Sequence, residues 1–455
     1  MLNARPVQGL FRRLRWAADG ILIAILLLVP WLRIDGEPLV LLDVPGRKFH
    51  VFGLVIFPQE LYFLWLIVAG LALALFFFTA LAGRLWCGWA CPQTVLTDVY
   101  AAVARRLEGW TRAGRPAHVP AWRRLATHGV WIVLSLVLGF HLVAYFVSPY
   151  ELLPALRAGA ISPTVTGFLV VASLLAYLDF VVVRQTFCKF LCPYARFQSV
   201  LFDRDTLVVG YDRLRGEPRS RRLQRGGTAA PGGDCVDCGL CVAVCPSEID
   251  IRSGLQLECI ACTQCIDACN GVMARLGRAT NLIGYRSMVG LERIRPVRLL
   301  RPRVVIYAAL LAAVTATFAS LLAERVPLAI EVSHNPSALS GASADGRVAN
   351  AFTLHVQNRD RAQRVLRVRI EAPEGFDLLA GVNPITVPAL ATVEARVFVL
   401  ADHEALEDEL EHRGGLIRFA VEEVSDPRRS AAATITFLPP LHGMIGAAEH
   451  RPGDS

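Results

Sequence analysis

The stretch that decides the fold is Cys235-Val-Asp-Cys238-Gly-Leu-Cys241-Val-Ala-Val-Cys245-Pro246, which returns as Cys259-Ile-Ala-Cys262-Thr-Gln-Cys265-Ile-Asp-Ala-Cys269. Both runs have the spacing C-x2-C-x2-C-x3-C. In bacterial ferredoxins, three thiolates spaced in this way bind one [4Fe–4S] cluster and the fourth binds the other cluster. The spacing therefore predicts two clusters, one held by Cys235, Cys238, Cys241 and Cys269 and the other by Cys259, Cys262, Cys265 and Cys245.

A pair of structural zinc sites is the alternative interpretation of these cysteines. Zinc prefers two separated Cys-x-x-Cys pairs, whereas three cysteines follow one another closely in each run. Asn270 stands where the second run would carry the proline that follows Cys245. Proline shapes the turn but is not a ligand, so the prediction of a second cluster is unaffected.

The composition indicates a membrane protein with soluble parts, because 54% of the 455 residues are hydrophobic and only 19% are charged. No cysteine precedes Cys87 or follows Cys269, which excludes a disulfide-stapled secreted domain. A membrane crossing takes roughly 20 apolar residues. Five such segments are predicted, at Ala17–Leu32, Phe52–Leu81, Gly129–Val147, Val165–Val183 and Val304–Leu322.

Arginine predicts the orientation of these segments, since positively charged loops stay in the cytoplasm. The N-terminus and the loop between the second and third segments are rich in arginine, whereas the two intervening loops are poor in it. No small-x-small cleavage site follows the first segment, so we expect it to be retained as a helix. The N-terminus and the ferredoxin region are therefore predicted on the cytoplasmic side of a bacterial inner membrane, and residues after Ala323 in the periplasm.

The predicted fold class is an α-helical membrane bundle with an inserted two-cluster ferredoxin domain and a C-terminal all-β immunoglobulin-like sandwich. Its domains are residues 1–200, 201–300, the fifth helix at 301–325, and 326–455. Phe352, Leu354 and Val356 alternate with polar residues, as in a half-buried strand. Strands are predicted at Leu328–Ser333, Ala351–Asn358, Val365–Glu371, Thr392–Leu400, Gly415–Val421 and Ala433–Leu438, followed by a flexible tail from His442.

Two further cysteine pairs lie near the cytoplasmic ends of the second and fourth segments. They read Cys87-Gly-Trp-Ala-Cys91-Pro92 and Cys188-Lys-Phe-Leu-Cys192-Pro193, and the repeated motif indicates a repeated pair of helices. Cysteines four apart share a helix face, although the proline is expected to interrupt the helix. Thiolates suit Cu(I), zinc or iron–sulfur centres. A shared four-thiolate metal or redox site, two separate redox dithiols and plain buried thiols all remain open.

Three ionisable residues are predicted at membrane depth, namely Glu60, His141 and Asp179. Such groups are candidates for function, and a quinol or metal site at Glu60 and His141 is one hypothesis. The basic run Arg213–Arg225 is interpreted as a solvated linker, with a docking patch for an acidic electron donor as the alternative. The sequence has no P-loop, dinucleotide fingerprint or haem-attachment motif.

Taken with the two ferredoxin motifs, the segments Trp86–Thr94 and Cys188–Gln198 resemble those of the CcoG family, whose members are also called FixG or RdxA. The order of parts is similar over nearly the whole chain, including the fifth helix and the C-terminal domain. The Cys-x-x-x-Cys-Pro pairs alone also occur in membrane ferredoxins of the NapH and NosR type, which lack that domain.

The resemblance implies an accessory protein for cbb-type cytochrome c oxidase that reduces Cu(II) to Cu(I), with the oxidase or its copper-delivery factors as partners. Catalysis and copper binding would then fall to Cys87, Cys91, Cys188 and Cys192, with electrons from a donor that the sequence does not name. The chain has only four methionines and no methionine-rich copper-binding stretch. A quinol-linked electron conduit and a non-enzymatic assembly scaffold are the alternatives.

Overall fold

A computed structural model describes residues 4–109, 118–220, 233–292, 298–335, 341–343 and 346–439. The chain forms two compact units, which divide between Ala319 and Ser320. The tail from His442 and residues 221–225 of the basic run lie outside the described residues. Within that run, Arg215 pairs with Asp234 at 2.5 Å.

The first unit contains membrane helices, and five described helices are long and apolar enough to span a bilayer, as predicted. The first helix begins at Leu10 rather than at Ala17, because Arg12, Arg15 and Asp19 are buried against other parts of the protein. Because these residues are charged, a hydropathy pattern does not recognise the start of the helix. The helices span Leu10–Leu28, Leu61–Ala82, Ala121–Ala144, Pro163–Leu178 and Pro302–Ala323.

The second membrane helix was predicted to begin at Phe52, and this is wrong. A small antiparallel sheet of Val40–Asp43, Lys48–Val51 and Leu54–Ile56 occupies that part of the chain. A 3-10 turn at Pro58–Glu60 then leads into the helix, so Glu60 lies before the helix and not inside it. The apolar strand Leu54–Ile56 runs into the helix without a change in hydropathy, which explains the error.

Shorter elements connect the membrane helices and carry the cysteines. A helix at Pro92–Leu107 follows the first Cys-x-x-x-Cys-Pro motif, and two π-helical turns precede the second proline. Strands Arg33–Ile34 and Glu37–Pro38 form a further hairpin. The remaining helices are Leu85–Trp89, Pro149–Ala158, Pro193–Leu201, Arg213–Gly216 and Met288–Leu291, and the π-helical turns are Asp179–Val183 and Phe187–Leu191.

The ferredoxin region is closed by two strands, Val208–Tyr211 and Ile283–Arg286, which pair antiparallel. Between them, each run of three cysteines leads into a helix, Leu240–Ala243 in the first case and Gln264–Arg275 in the second. Buried apolar side chains pack around both loops, among them Ile251, Ile266 and Leu282. The cysteine loops are therefore held between a strand pair and two helices.

The second unit is a sandwich of two antiparallel sheets, as the strand pattern predicted. One sheet contains Phe376–Ala380, Thr392–Ala401, Val348–Asn358, Leu328–His334 and Gly341–Ala342. The other contains Ile385–Val387, Arg364–Glu371, Leu416–Glu423 and Ser430–Thr436. The sequence did not predict the short strands Gly341–Ala342, Phe376–Ala380 and Ile385–Val387, nor the helix His403–Arg413.

The core of the sandwich includes the predicted alternating residues, since Phe352, Leu354 and Val356 are fully buried. The Phe352 ring meets that of Phe419 edge to face at 5.2 Å between centroids. We expect Phe352→Ala to lower the free energy of unfolding of this unit by about 3–5 kcal/mol, because it leaves a cavity. Calorimetry of the full-length protein measures this, and Phe398→Ala, at a ring that is 47% exposed, is the matched control.

Candidate iron–sulfur and thiol site

The first predicted cysteine set surrounds one small cavity. Its other walls are mainly apolar and include Tyr211, Leu240, Val272 and Met273. The cysteines that line it are Cys235, Cys238, Cys241 and Cys269. The structure therefore brings Cys269, from the second run, to the first cysteine loop.

The second predicted set surrounds a neighbouring cavity, which is also walled by apolar side chains such as Val209, Ile249 and Ile260. Cys241 lines both cavities, so the two are adjacent. Among the described residues, no three His, Cys, Asp or Glu side chains could hold a single metal ion. Thiols placed around a cavity fit a multi-iron cluster better than zinc. The cysteines of this second set are Cys245, Cys259, Cys262 and Cys265.

The two cysteine loops share one backbone conformation. The residues on either side of the middle cysteine have positive φ in both loops, at Asp237 and Gly239 in the first and at Ala261 and Thr263 in the second. Three of these four are not glycine, so the loops hold strained backbone. Left-handed residues in such turns direct backbone N–H groups toward a concave site, an arrangement typical of iron–sulfur loops.

Burial determines the protonation of these cysteines. It raises the pKa of the Cys259 and Cys269 thiols to about 12 and that of Cys241 to about 11. Thiols of this kind stay protonated at neutral pH, so iron has to displace their protons when it binds. Near Cys241, the Arg252 guanidinium pairs with Asp237 at 2.7 Å and with Asp250 at 2.8 Å.

The first membrane helix contacts the second cysteine loop through a buried arginine. Arg15 donates a hydrogen bond to the Cys262 carbonyl at 3.4 Å and pairs with Asp98 at 2.6 Å. Arg12 pairs with the same carboxylate at 2.9 Å. Burial would raise the pKa of Asp98, but Arg15 and Arg12 outweigh it and hold that pKa below its usual range. The carboxylate is therefore ionised beside two guanidinium groups.

The start of this helix is also capped by the ferredoxin region. The Asp267 carboxylate accepts hydrogen bonds from the backbone N–H of Arg12 at 2.7 Å and of Phe11 at 3.2 Å. A carboxylate is favourable at a helix N-terminus, where the first N–H groups lack partners within the helix. Asp267 and Arg15 therefore both join this helix to the cluster region.

The four remaining cysteines come together at the ends of the second and fourth membrane helices. Burial raises the pKa of the Cys188 thiol to about 12, and the charges of Cys91, Cys87 and Cys192 add to that effect. Cys188 therefore lies within electrostatic range of the other three thiols. Cys87 also donates a hydrogen bond to the Gln198 side-chain oxygen at 3.6 Å.

The backbone repeats around these two pairs. Four residues before Cys87, Gly83 has φ 58° and ψ −122°, and four residues before Cys188, Arg184 has φ 52° and ψ −128°. Cys91 and Cys192 are both extended and stand immediately before a helix whose first residue is proline. Proline suits that first position, because its missing N–H is not needed there. The predicted repeat of the two motifs is thus present in the backbone.

Comparison with known proteins places these features in a family. Residues 183–288 match the 4Fe-4S dicluster domain and residues 62–111 match a 4Fe-4S binding domain. Residues 318–440 match the IG-like fold at the C-terminus of FixG. Protein RdxA of Cereibacter sphaeroides is 39% identical over 426 residues, which cover 87% of this chain and 88% of RdxA. The chain belongs to the FixG/RdxA family.

Other relatives agree with this assignment. The nitrogen fixation protein FixG of Rhizobium meliloti is 33% identical over 81% of this chain and 78% of its own length. The ferredoxin-type protein NapH of Haemophilus influenzae is 26% identical over 45% of this chain and 66% of its own. This FixG/RdxA-family member is therefore an iron–sulfur electron-transfer protein of the membrane.

In this family member, a glycine lies where Cys87, Cys91, Cys188 and Cys192, the thiol site, approach the second cysteine loop. A Cβ added at Gly88 would lie 2.5 Å from the Ala261 carbonyl oxygen and 2.7 Å from that of Ile260. The next residue, Trp89, donates a hydrogen bond to the Tyr285 hydroxyl at 3.0 Å. The segment between Cys87 and Cys91 therefore packs directly on the loop between Cys259 and Cys262.

The ionisable residues predicted at membrane depth have separate environments. Glu60 is buried and accepts a hydrogen bond from the Phe57 N–H at 3.4 Å. His141 accepts one from the Trp31 indole, also at 3.4 Å, and Asp179 accepts one from Gln93 at 3.1 Å. None of these contacts joins Glu60 to His141, so a shared site there stays a hypothesis.

Sequence reasoning missed the residues that support the cysteines. Arg15 belongs to the arginine-rich N-terminus and Asp98 drew no prediction, and only the fold shows that they are buried together. Gln198 lies beside the Cys188 motif in sequence, but its contact is with Cys87 in the other motif. The signal that could have found Gln198 is its place shortly after Cys192, in the second of two repeated motifs.

Proposed function

We propose that this protein is a cupric reductase of the bacterial inner membrane, which supplies Cu(I) for the assembly of cbb-type cytochrome c oxidase. The observation that carries the proposal is the contact at Gly88. There the segment between Cys87 and Cys91 packs on the loop of the second cysteine set, and thiolates are the ligands that suit Cu(I). A one-electron donor and a soft-metal site would then be neighbours.

Each of the two ferredoxin cysteine sets holds one cluster. Cys235, Cys238, Cys241 and Cys269 hold one [4Fe–4S] cluster, and Cys259, Cys262, Cys265 and Cys245 hold the other. When bound, these clusters supply one-electron transfer. Arg252 and Arg15 place positive charge beside the first and second sets respectively.

In this proposal the remaining four cysteines, Cys87, Cys91, Cys188 and Cys192, receive the substrate; among the described residues no three of them stand close enough to hold one ion, so they must move together around it. Cu(II) gains one electron and becomes Cu(I), which thiolates bind in preference to harder ligands. The raised pKa of Cys87 and Cys188 keeps these thiols protonated until Cu(I) displaces the protons. Reduction and retention of copper therefore occur at the same residues.

The arginine distribution supports the orientation. The N-terminus and the cluster region lie in the cytoplasm, and the C-terminal sandwich lies in the periplasm. There the sandwich contacts the oxidase or its copper-delivery factors. This partner assignment follows from the resemblance to oxidase accessory proteins.

The test uses purified protein that has been reduced anaerobically and then freed of reductant. On mixing with Cu(II), we expect the cluster absorbance to return to its oxidised level while one Cu(I) forms for each electron lost. The variant with serine at Cys87, Cys91, Cys188 and Cys192 should keep its iron content and its EPR signals but lose Cu(I) binding. Reduced wild-type clusters that Cu(II) leaves unchanged would contradict the proposal.

A quinol-linked electron conduit is the second candidate, and the likeness to the ferredoxin-type protein NapH favours it. In that case quinol added to membranes would reduce the clusters, and serine at the four thiols would leave the rate of this reduction unchanged. If quinol reduces the clusters and Cu(II) does not reoxidise them, the electron conduit replaces the cupric reductase as the proposed function.

A further inference from the structure

A cavity of about 150 Å³ lies beside both the thiol site and the second cysteine set. Lys189, which follows Cys188, lines it on one side, and Pro246, which follows Cys245, lines it on another. The helix Pro92–Leu107 contributes Thr97, Asp98 and Arg105. The cavity thus touches the neighbours of cysteines from both sites.

Positive charge predominates in this cavity. Arg105, Arg184 and Lys189 line it, and all three are half-buried. Of its two carboxylates, Asp98 is already paired with Arg12 and Arg15, which leaves Glu248. Free Cu²⁺ would be repelled by such a lining, whereas a small anion would be attracted.

The backbone conformation of Arg184 is independent evidence that its side chain has a function. Gly83 occupies the equivalent position of the first repeat, with nearly the same φ and ψ. That conformation suits glycine, so arginine is strained there. Strain of this kind persists mainly at functional sites. Two π-helical turns, which are also frequent at functional sites, flank Arg184.

Gln185, which lines the cavity, carries an oxygen that is unpaired within the described part of the chain. The side-chain oxygen of Gln185 is buried and has no hydrogen-bond partner among the described residues. Buried polar atoms rarely stay unpaired, because the lost hydrogen bond is costly. This oxygen has almost no accessible surface and so lies behind the cavity surface, which leaves the cations to determine the ligand.

We propose that this cavity binds small polycarboxylate anions, and that copper reaches the thiol site as an anionic complex of such a ligand. The copper part rests on the proposed function, whereas the anion site rests on the cavity alone. Arg105, Arg184 and Lys189 bind the carboxylates. The metal is then held next to Cys188 and not in bulk solvent.

The test is calorimetric binding of citrate, without copper, to the oxidised full-length protein. We expect Arg184→Gly and Lys189→Gln each to weaken binding roughly tenfold, the effect of removing one charge at close range in a partly buried site. Arg184→Gly relieves the backbone strain but removes the guanidinium from above the Trp131 ring, 5.5 Å from its centroid. Iron content and Tm are therefore measured beside binding, and Lys189→Gln, which leaves that contact in place, gives the second reading. Arg106→Gln, an exposed neighbour of Arg105 on the same helix, should bind citrate like the wild type.

Wild-type protein that does not bind citrate, or variants that bind it equally well, would overturn the anion site. Because no copper is present, neither result bears on copper reduction. In the copper experiment, Cu(II)–citrate should reoxidise the reduced wild type faster than the Arg184→Gly variant. Equal rates would refute delivery through the cavity while leaving the cupric reductase proposal intact.

Discussion

Replacing Gly88 with valine is expected to separate the thiol site from the second cysteine loop. Even a methyl group would lie 2.5 Å from the Ala261 carbonyl oxygen, and a backbone atom cannot yield as a flexible side chain can. Overpacking of this kind costs about 1–3 kcal/mol. Because electron transfer slows steeply with distance, Cu(II) should reoxidise the reduced clusters much more slowly in Gly88→Val than in wild type.

The matched control is Gly271→Ala, in the helix that follows the second cysteine loop. A Cβ at Gly271 meets no atom within 4 Å, so this variant should keep the wild-type rate and a similar stability. Iron content and EPR spectra check that both clusters are present in each variant. A Gly88→Val protein with a full complement of clusters and an unchanged rate would show that the contact is not the electron path.

The sequence predicts iron–sulfur chemistry because cysteine spacing is a local property. Three closely spaced thiolates constrain the loop regardless of the rest of the fold, and the structure groups the same cysteines around the two cavities. The alternation of Phe352, Leu354 and Val356 is local in the same way, and those side chains are buried as expected.

Contacts between distant segments could not be predicted in this way. Arg15 and Cys262 are 247 residues apart in sequence, and nothing near either residue indicates that they meet. The start of the first membrane helix was misplaced for the same reason, since its arginines are buried by protein and not by lipid. The role of Gly88 also depends on a loop that lies far along the chain.

Replacing Arg15 with methionine is expected to lower the reduction potential of the second cluster. Arg15 is 1% exposed and donates to the Cys262 carbonyl, so its charge favours the reduced, more negative cluster. One charge at about 10 Å and an effective dielectric constant of about 20 contributes roughly 1.7 kcal/mol, or on the order of 50–100 mV. An EPR-monitored redox titration measures this shift.

Stability should fall as well, since breaking a buried ion pair costs about 3–5 kcal/mol. We expect a loss at the lower end of this range, because Arg12 still pairs with Asp98 at 2.9 Å. Arg13→Gln removes an exposed charge from the same helix turn and should change neither the reduction potential nor the stability. The first cluster has its own guanidinium, Arg252, so its potential should stay constant in Arg15→Met. A shift of both clusters together, or of neither, would mean that Arg15 only anchors the helix and does not tune the electron donor beside the thiols.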